Sequence, residues 1–304
     1  MDLDLCDNYI LCVSEEGGLT NAAKKLDISQ PALSMSINNL ENKLGYEIFN
    51  RKTKPISLTH EGEIYIEFLK KQRLLKLDCQ KKIDDLHKAK NTKLTVGGPV
   101  IYINSIIIDA VSKLDAKYSD MEFDVVDASV PVLIEQALSG KMDCFISTSR
   151  KLPERFDKIP IKKEKIYLCI PKKWPINNKL RKYLVKPGEV GEYIDFSLIS
   201  GLKMISLLPE LPLQKELDAF YKANNVDVVS SIRVNQVNTA VEIAKRGIGM
   251  VVATEEVLFS DRYKDAFCFY SMPENISNRE IYIAYDKKRY LSKACLELIS
   301  CLKG

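Results

Sequence analysis

The stretch from Leu19 to Gly62, LTNAAKKLDISQPALSMSINNLENKLGYEIFNRKTKPISLTHEG, constrains this chain more than any other. Thr20 is placed to cap a first helix whose Ala22, Ala23 and Leu26 form a small apolar face. A break at Asp27 and Ile28 follows, and Ser29 is placed to cap a second helix. Pro31 falls in the opening turn of that helix, where a missing backbone N–H costs little. Leu33, Ile37, Leu40 and Leu44 recur at spacings of three and four, so they share the face that packs inward. The opposite face carries Pro31, Ser34, Met35 and Asn38, with Gln30 at its leading edge. Small polar side chains there suit a helix that enters a DNA major groove.

Two capped amphipathic helices also occur in bundles that never touch DNA, so spacing alone leaves the choice open. The segment that follows decides it. Asn50, Arg51, Lys52, Thr53, Lys54 and Pro55 form a cationic turn, and Ile56 to Leu58 reads as a short strand returning from it. A basic hairpin beside a recognition helix supplies the phosphate contacts that fix register. The sequence therefore predicts a winged helix-turn-helix. In this reading Gln30, Ser34 and Asn38 face base edges, Ser29, Arg51, Lys52 and Lys54 hold phosphates, and Thr20 and Pro31 complete the DNA-facing set.

The chain at this point resembles the LysR-type transcriptional regulators. The residues that carry the resemblance are Ala22, Ala23, Leu26, Ser29 to Ala32, Ser34, Ile37, Leu40, Glu41, Leu44, Gly45, Phe49, Arg51, Leu58, Thr59 and Gly62, an ungapped run. A first helix from about Leu3 to Glu15, with Leu5, Tyr9, Cys12 and Val13 inward, fits the same pattern. Three positions depart from it. Gly18 stands where the family usually has a serine, Asn21 where a basic residue is common, and Glu61 where a small residue usually precedes Gly62.

The chain's 304 residues suffice for two or more domains, each with its own core. It has no apolar run long enough to span a membrane, and its acidic start argues against export. The eight cysteines are scattered, mostly among apolar neighbours and without a Cys-x-x-Cys pair, which reads as buried reduced thiols in a cytoplasmic protein. A formal net charge of +4 does not by itself demand a nucleic-acid partner. Charge placement must do the binding, with weak non-specific affinity and reliance on paired half-sites.

Thr59 is placed to cap a helix running to about Ala89, uninterrupted by glycine or proline from Glu63 to Thr92. Ile64, Phe68, Leu75, Cys79, Ile83 and Leu86 form one narrow apolar seam, which usually packs on a partner helix. The resemblance makes this the linker helix, pairing antiparallel with its mate and imposing a pseudo-palindromic site on double-stranded promoter DNA. Residues 88–93 then form a hinge.

From Leu94 the texture changes to alternating strands and helices. Strands are expected at 94–97, 122–126 and 142–146, with helices at 103–118 and 132–139. A second set comprises strands at 166–170, 227–232, 249–252, 266–269 and 279–285, helices at 213–221 and 236–245, and a closing helix at 291–302. This order favours a parallel sheet with helices on both faces. It resembles the family's effector domain, two α/β lobes of type 2 periplasmic-binding-protein kind. Weaker anchors support it: Thr95 to Gly97, Gly140 to Asp143, Ile170 and Pro171 with Trp174 and Pro175, and Gly247 to Met250. The expected organisation is α/β overall: a DNA-binding domain at 1–58, a linker helix at 59–90 and an effector domain at 91–304. Its lobe I covers about 91–162 and 269–304, and its lobe II about 163–268. The stretch 184–193 looks like an added surface loop.

The ligand pocket is expected at the carboxyl ends of the strands, between the lobes. Candidate lining residues are Gly98, Pro99 and Val100, then Ser129, then Thr148 and Ser149, with Ser206 from the other lobe and Arg150 and Lys203 as sources of charge. Hydroxyls and helix N-termini in such loops favour a small anion, often a carboxylate. Val130, Pro131 and Val132 point to a hydrocarbon part as well.

Catalysis is the main rival function. The only histidines, His60 and His87, lie in or beside the long helix, so the lobes lack the base of a Ser-His or Cys-His site, and a multi-histidine metal centre is unavailable. No cofactor and no metal is expected. A redox sensor is the second rival, but no cysteine lies between Cys169 and Cys268, where peroxide sensors of this family carry their pair. A pure scaffold leaves the basic wing unexplained. The resemblance further implies a homodimer assembling to a homotetramer, contact with RNA polymerase, and activation often joined to repression of the regulator's own gene.

Overall fold

Chain contacts in the computed structural model separate two units, Met1–Lys88 and Ala89–Gly304. It describes residues 3–53, 55–87, 93–118, 121–258, 262–263, 265–277 and 279–303. Lys54 of the wing and residues 88–92 of the expected hinge lie outside these residues.

In the first unit, α1 (Leu3–Glu16), α2 (Leu19–Lys25) and α3 (Gln30–Leu44) precede β1 (Phe49–Asn50), β2 (Ser57–Leu58) and the long α4 (His60–His87). The inward stripe of α3 is as its spacing predicts. Leu33, Ile37 and Leu40 are buried against Ile10, Val13, Ala22, Ala23, Ile48 and Phe49. Truncating a side chain such as Leu33 to Ala would cost about 2–5 kcal/mol, from lost transfer energy and the cavity left behind. Helix α3 begins where Ser29 Oγ accepts from Ala32 N–H and ends at Gly45 with φ of 79°, a left-handed conformation that glycine adopts without strain.

Two expectations fail here. Thr20 does not cap α2. The cap position is Gly18, which offers no side-chain hydrogen bond, and Thr20 lies inside the helix. Leu5 is exposed, and Cys6, Ile10 and Leu11 turn inward with Cys12 and Val13. Thr59, by contrast, caps α4, its Oγ1 accepting from Gly62 N–H at 2.9 Å. Gly62 is required for packing, because a Cβ there would lie 2.0 Å from the carbonyl oxygen of Ile48.

The second unit contains two lobes, each built on sheet flanked by helices. The first sheet has the order β4-β3-β5-β13-β6: β3 (Lys93–Gly98), β4 (Glu122–Asp127), β5 (Cys144–Ser147), β6 (Phe156–Glu164) and β13 (Arg279–Asp286). Its alternating residues bury on two faces. Leu94, Val96, Cys144, Ile146, Ile281 and Ile283 meet α6 (Ile108–Lys117) and α13 (Lys293–Lys303). Phe145, Tyr282 and Ala284 meet α7 (Val130–Leu138) on the other. A short α5 (Val100–Tyr102) runs through a π-turn at Ile103–Ile107 into α6, so the helix expected from residue 103 starts earlier.

In the other lobe, β7 (Ile166–Pro171), β8 (Leu184–Val185), β11 (Val251–Thr254) and β12 (Phe267–Ser271) form a sheet in the order β11-β7-β12-β8. β9 (Lys203–Leu207) and β10 (Val229–Val234) pair in parallel, and a parallel bridge between Met204 and Met250 joins them to it. The flanking helices are α8 (Ile176–Lys179), α9 (Pro212–Ala223), α10 (Val237–Lys245), α11 (Glu255–Leu258) and α12 (Glu274–Ser277).

Neither sheet is the parallel one expected: the five-stranded sheet is mixed and the four-stranded sheet is antiparallel throughout. β13 runs antiparallel to β5, and β7 is antiparallel to both β11 and β12, because the chain crosses between lobes and must return. The return follows α12, which still packs in the second lobe, and reaches the first sheet at Arg279, later than the boundary expected near 269. In this unit three strands were not legible: β6, whose FDKIPIKKE reads as a polar loop, and the short β8 and β9. The expected loop at 184–193 is tied down. Leu184 and Val185 pair with β12, Gly188 N–H donates to Tyr167 Oη at 2.9 Å, and Tyr167 Oη donates to the Glu189 carbonyl at 2.8 Å.

Candidate nucleic-acid interface and ligand cleft

On α3 the face opposite the core is open. Gln30, Pro31, Met35 and Asn38 are exposed and Ser34 is half-buried, so the side chains expected to face DNA share one accessible surface. Met35, 62% exposed, is the apolar member of this face. Thr20 has a role that capping logic missed: its hydroxyl donates to Gln30 Oε1 at 3.1 Å, from α2 to the first residue of α3. With Oε1 held, the amide NH2 of Gln30 is its free end. Ser29 keeps its hydroxyl proton available, since its oxygen only accepts from Ala32.

The wing is anchored by a residue outside the expected set. The buried Glu41 accepts from Ile48 N–H at 2.7 Å and Phe49 N–H at 3.1 Å through Oε1, and from Arg51 at 2.8 Å through Oε2. Arg51, expected on phosphate, is thus already paired, and the pair fixes the wing to α3. In the turn itself, Asn50 Oδ1 accepts from Lys52 N–H at 3.0 Å and Thr53 Oγ1 accepts from Ser57 N–H at 3.1 Å. Lys52 is exposed.

In the second unit, the carboxyl ends of β3, β4 and β5 lie on one side of the sheet, the side where the chain crosses between lobes. Gly98, Pro99 and Val100, then Ser129, then Thr148 and Ser149 occupy those ends, as expected. Ser129 stands at the cap position of α7 without a side-chain cap bond, so its hydroxyl is not spent on the helix. Ser206, buried near the end of β9, is on the matching side of the other lobe. Lys203 is not. It begins β9, about 10 Å from Ser206 at strand rise, at the end of the sheet away from the crossing. Its charge belongs to the opposite end of the lobe.

Thr148 is engaged by a residue absent from the expected set: Arg279 Nη2 donates to its Oγ1 at 2.6 Å. Arg279 pairs in register with Glu164, so the last residue of one crossing strand faces the first of the other. Tyr102 Oη reaches both oxygens of Glu164, at 3.1 and 3.0 Å. Burial raises the Glu164 carboxyl to about 7, with Arg279 and the Tyr102 hydrogen bond opposing it. Lys162 of β6 pairs with Glu256 of α11 at 2.7 Å across the same junction. Arg150 also bridges lobes, donating to the Asn275 carbonyl at 2.7 Å with Glu216 of α9 at 3.8 Å.

A winged helix-turn-helix followed by a long helix and a two-lobed α/β domain defines a class of ligand-responsive DNA-binding regulators. The comparisons place the chain within it. Residues 8–63 match the family described as bacterial regulatory helix-turn-helix protein, lysR family, and residues 87–304 match the LysR substrate binding domain. This chain belongs to the LysR family of DNA-binding transcriptional regulators. It is 25% identical over 284 residues to the uncharacterised HTH-type transcriptional regulator YybE of Bacillus subtilis, covering 93% of this chain and 92% of that one. It is 22% identical over 281 residues to a hydrogen peroxide-inducible genes activator of Dickeya chrysanthemi, covering 91% and 87%. Among solved structures, full-length OxyR from Pseudomonas aeruginosa shares the fold with a TM-score of 0.66 at 19% identity, covering 98% and 96%. CbnR complexed with its target DNA shares it with a TM-score of 0.61 at 16% identity, covering 100% and 99%.

Proposed function

We propose that this chain is a cytoplasmic, non-enzymatic activator of transcription that responds to a small metabolite and also represses its own gene. Gln30, Ser34 and Asn38 read base edges, and Ser29, Lys52, Lys54 and the unpaired part of Arg51 hold phosphates, with Thr20 and Pro31 shaping the face. The effector sits among Gly98, Pro99, Val100, Ser129, Thr148, Ser149 and Ser206. A small carboxylate with a hydrocarbon part suits the Arg279–Thr148 pair together with the apolar start of α7. Effector closure re-spaces the winged pairs of a homotetramer and changes recruitment of RNA polymerase. No redox trigger is proposed, since no cysteine lies between Cys169 and Cys268.

The observation that carries the reading is the open face of α3 with Gln30 held by Thr20. Its test is selection of genomic fragments by the purified protein, alone and with a metabolite mixture. Enrichment of a pseudo-palindrome is expected, and Gln30→Ala should relax one position of each half-site by about 1–3 kcal/mol of discrimination. A base-by-base profile identical to the parent's would overturn the assignment.

A further inference from the structure

The second lobe holds a hollow of about 620 Å³ at the end of its sheet away from the crossing strands, where β7 ends and β12 begins. Trp174 forms part of its wall, and Lys172, Lys173, Lys245, Arg246 and Arg262 line it from three separate segments. We infer that this hollow is a second small-molecule site, distinct from the cleft between the lobes, for a phosphorylated metabolite that carries a planar ring.

Lys245 and Arg246 end α10, where cations offset the helix dipole and need no ligand to explain them. Lys172, Lys173 and Arg262 owe nothing to that dipole. Among the described residues the one carboxylate in the lining, Asp265, is almost fully exposed and 3.5 Å from Lys172, a weak pairing in water. Lys173 has no partner among the described residues.

The cations are also held in place. Lys245 Nζ and Arg262 Cζ lie 5.5 and 5.8 Å from the centroid of the same buried ring, Tyr263. Tyr263 Oη donates to Glu242 at 2.7 Å, and Glu242 also takes Arg262 at 3.0 Å and Arg246 at 3.5 Å. Glu242, behind the rim, thus anchors both guanidinium groups. Such planar forks suit a phosphate dianion, which a carboxylate effector would not fully satisfy. The Trp174 indole is fixed by its N–H to the Gly247 carbonyl at 3.2 Å, giving an apolar surface on which a ring can stack. The volume lies in the range of small-molecule sites and accommodates a mononucleotide.

Trp174 is the chain's sole tryptophan, so its fluorescence reports on this hollow directly. The intact protein, free of DNA, is titrated with AMP, GMP, ATP, inorganic pyrophosphate and adenosine. The nucleotides should give a saturable change, pyrophosphate a weaker one and adenosine none. A double variant, Lys173→Glu with Arg246→Glu, changes two exposed side chains and should weaken nucleotide binding roughly ten-fold or more with unchanged circular dichroism. Three results overturn the inference: no saturable response to any nucleotide, an equal response to sodium sulfate at matched ionic strength, or a double variant that titrates like the parent. None of them depends on the DNA-reading assignment, because no DNA is present.

Discussion

Glu41 shows how much one side chain decides in the winged unit. Only 7% exposed, it satisfies two backbone N–H groups at the start of the wing and pairs with Arg51. Glu41→Ala leaves both amides and Arg51 without their acceptor and should lower unfolding free energy by about 2–4 kcal/mol in urea titrations. Arg51→Ala should cost about 1–3 kcal/mol by the same route. If Arg51 also reaches a phosphate, that variant weakens binding to all sequences and reduces the salt slope by about 0.9. Lost stability with an unchanged salt slope would leave Arg51 a purely structural residue. Glu41 was visible in the sequence only as part of a family pattern, since its partners at 48, 49 and 51 come from a turn whose geometry no local signal reveals. The pairing of Thr20 with Gln30 was hidden for the same reason.

The elements divide by how regular their environment is. Helix α3 was legible because one face meets a core and the other meets solvent, so its period is clear. Helix α4 was legible for its length and its Thr59 cap, and its seam is exposed on the first unit: Ile64, Phe68, Leu75 and Leu86 are 60%, 53%, 70% and 78% exposed. Cys79 is exposed on the same seam, unlike the buried Cys6, Cys12, Cys144, Cys169 and Cys295. A row of apolar side chains on a charged helix is covered when a second copy binds. Leu75→Glu should therefore shift sedimentation toward monomer by ten-fold or more in dissociation constant, at roughly 1.4 kcal/mol or above, without altering helix content. Unchanged self-association would exclude the seam from the interface. Strand β6 was illegible because its lysines face solvent along much of its length and Pro160 interrupts its pattern.

At the scale of the whole molecule, the junction between lobes is polar and buried. Tyr102, Arg279, Thr254 and Glu256 all face Glu164, whose carboxyl is raised from 4.5 to about 7, chiefly by burial. The folded protein therefore keeps that proton to higher pH than the unfolded chain does. Its contribution is fully present below about 4.5 and is lost as pH rises through about 7, a loss on the order of 3 kcal/mol. Glu164→Gln keeps the shape without the titration. Its stability relative to the parent should rise by about 1–3 kcal/mol between about pH 5 and about pH 8, read from urea midpoints. A difference that stays flat across that interval would show that Glu164 does not titrate there.

The sequence by itself determined the winged helix-turn-helix and the long seam-bearing helix, because both are written in local periodicity, capping residues and a charged turn, whereas the two lobes were legible only through the family resemblance. Tertiary structure alone decided that Glu41 holds the wing, that Thr20 orients Gln30 and that Lys203 stands at the wrong end of its strand for the cleft. It also decided that Glu164, Arg279 and Tyr102 meet where the lobes join, and that cations from three segments line one hollow with the sole tryptophan. These groupings unite residues from strands and helices far apart in the chain. Their chemistry arises from burial and proximity, and neither is a property of any single segment.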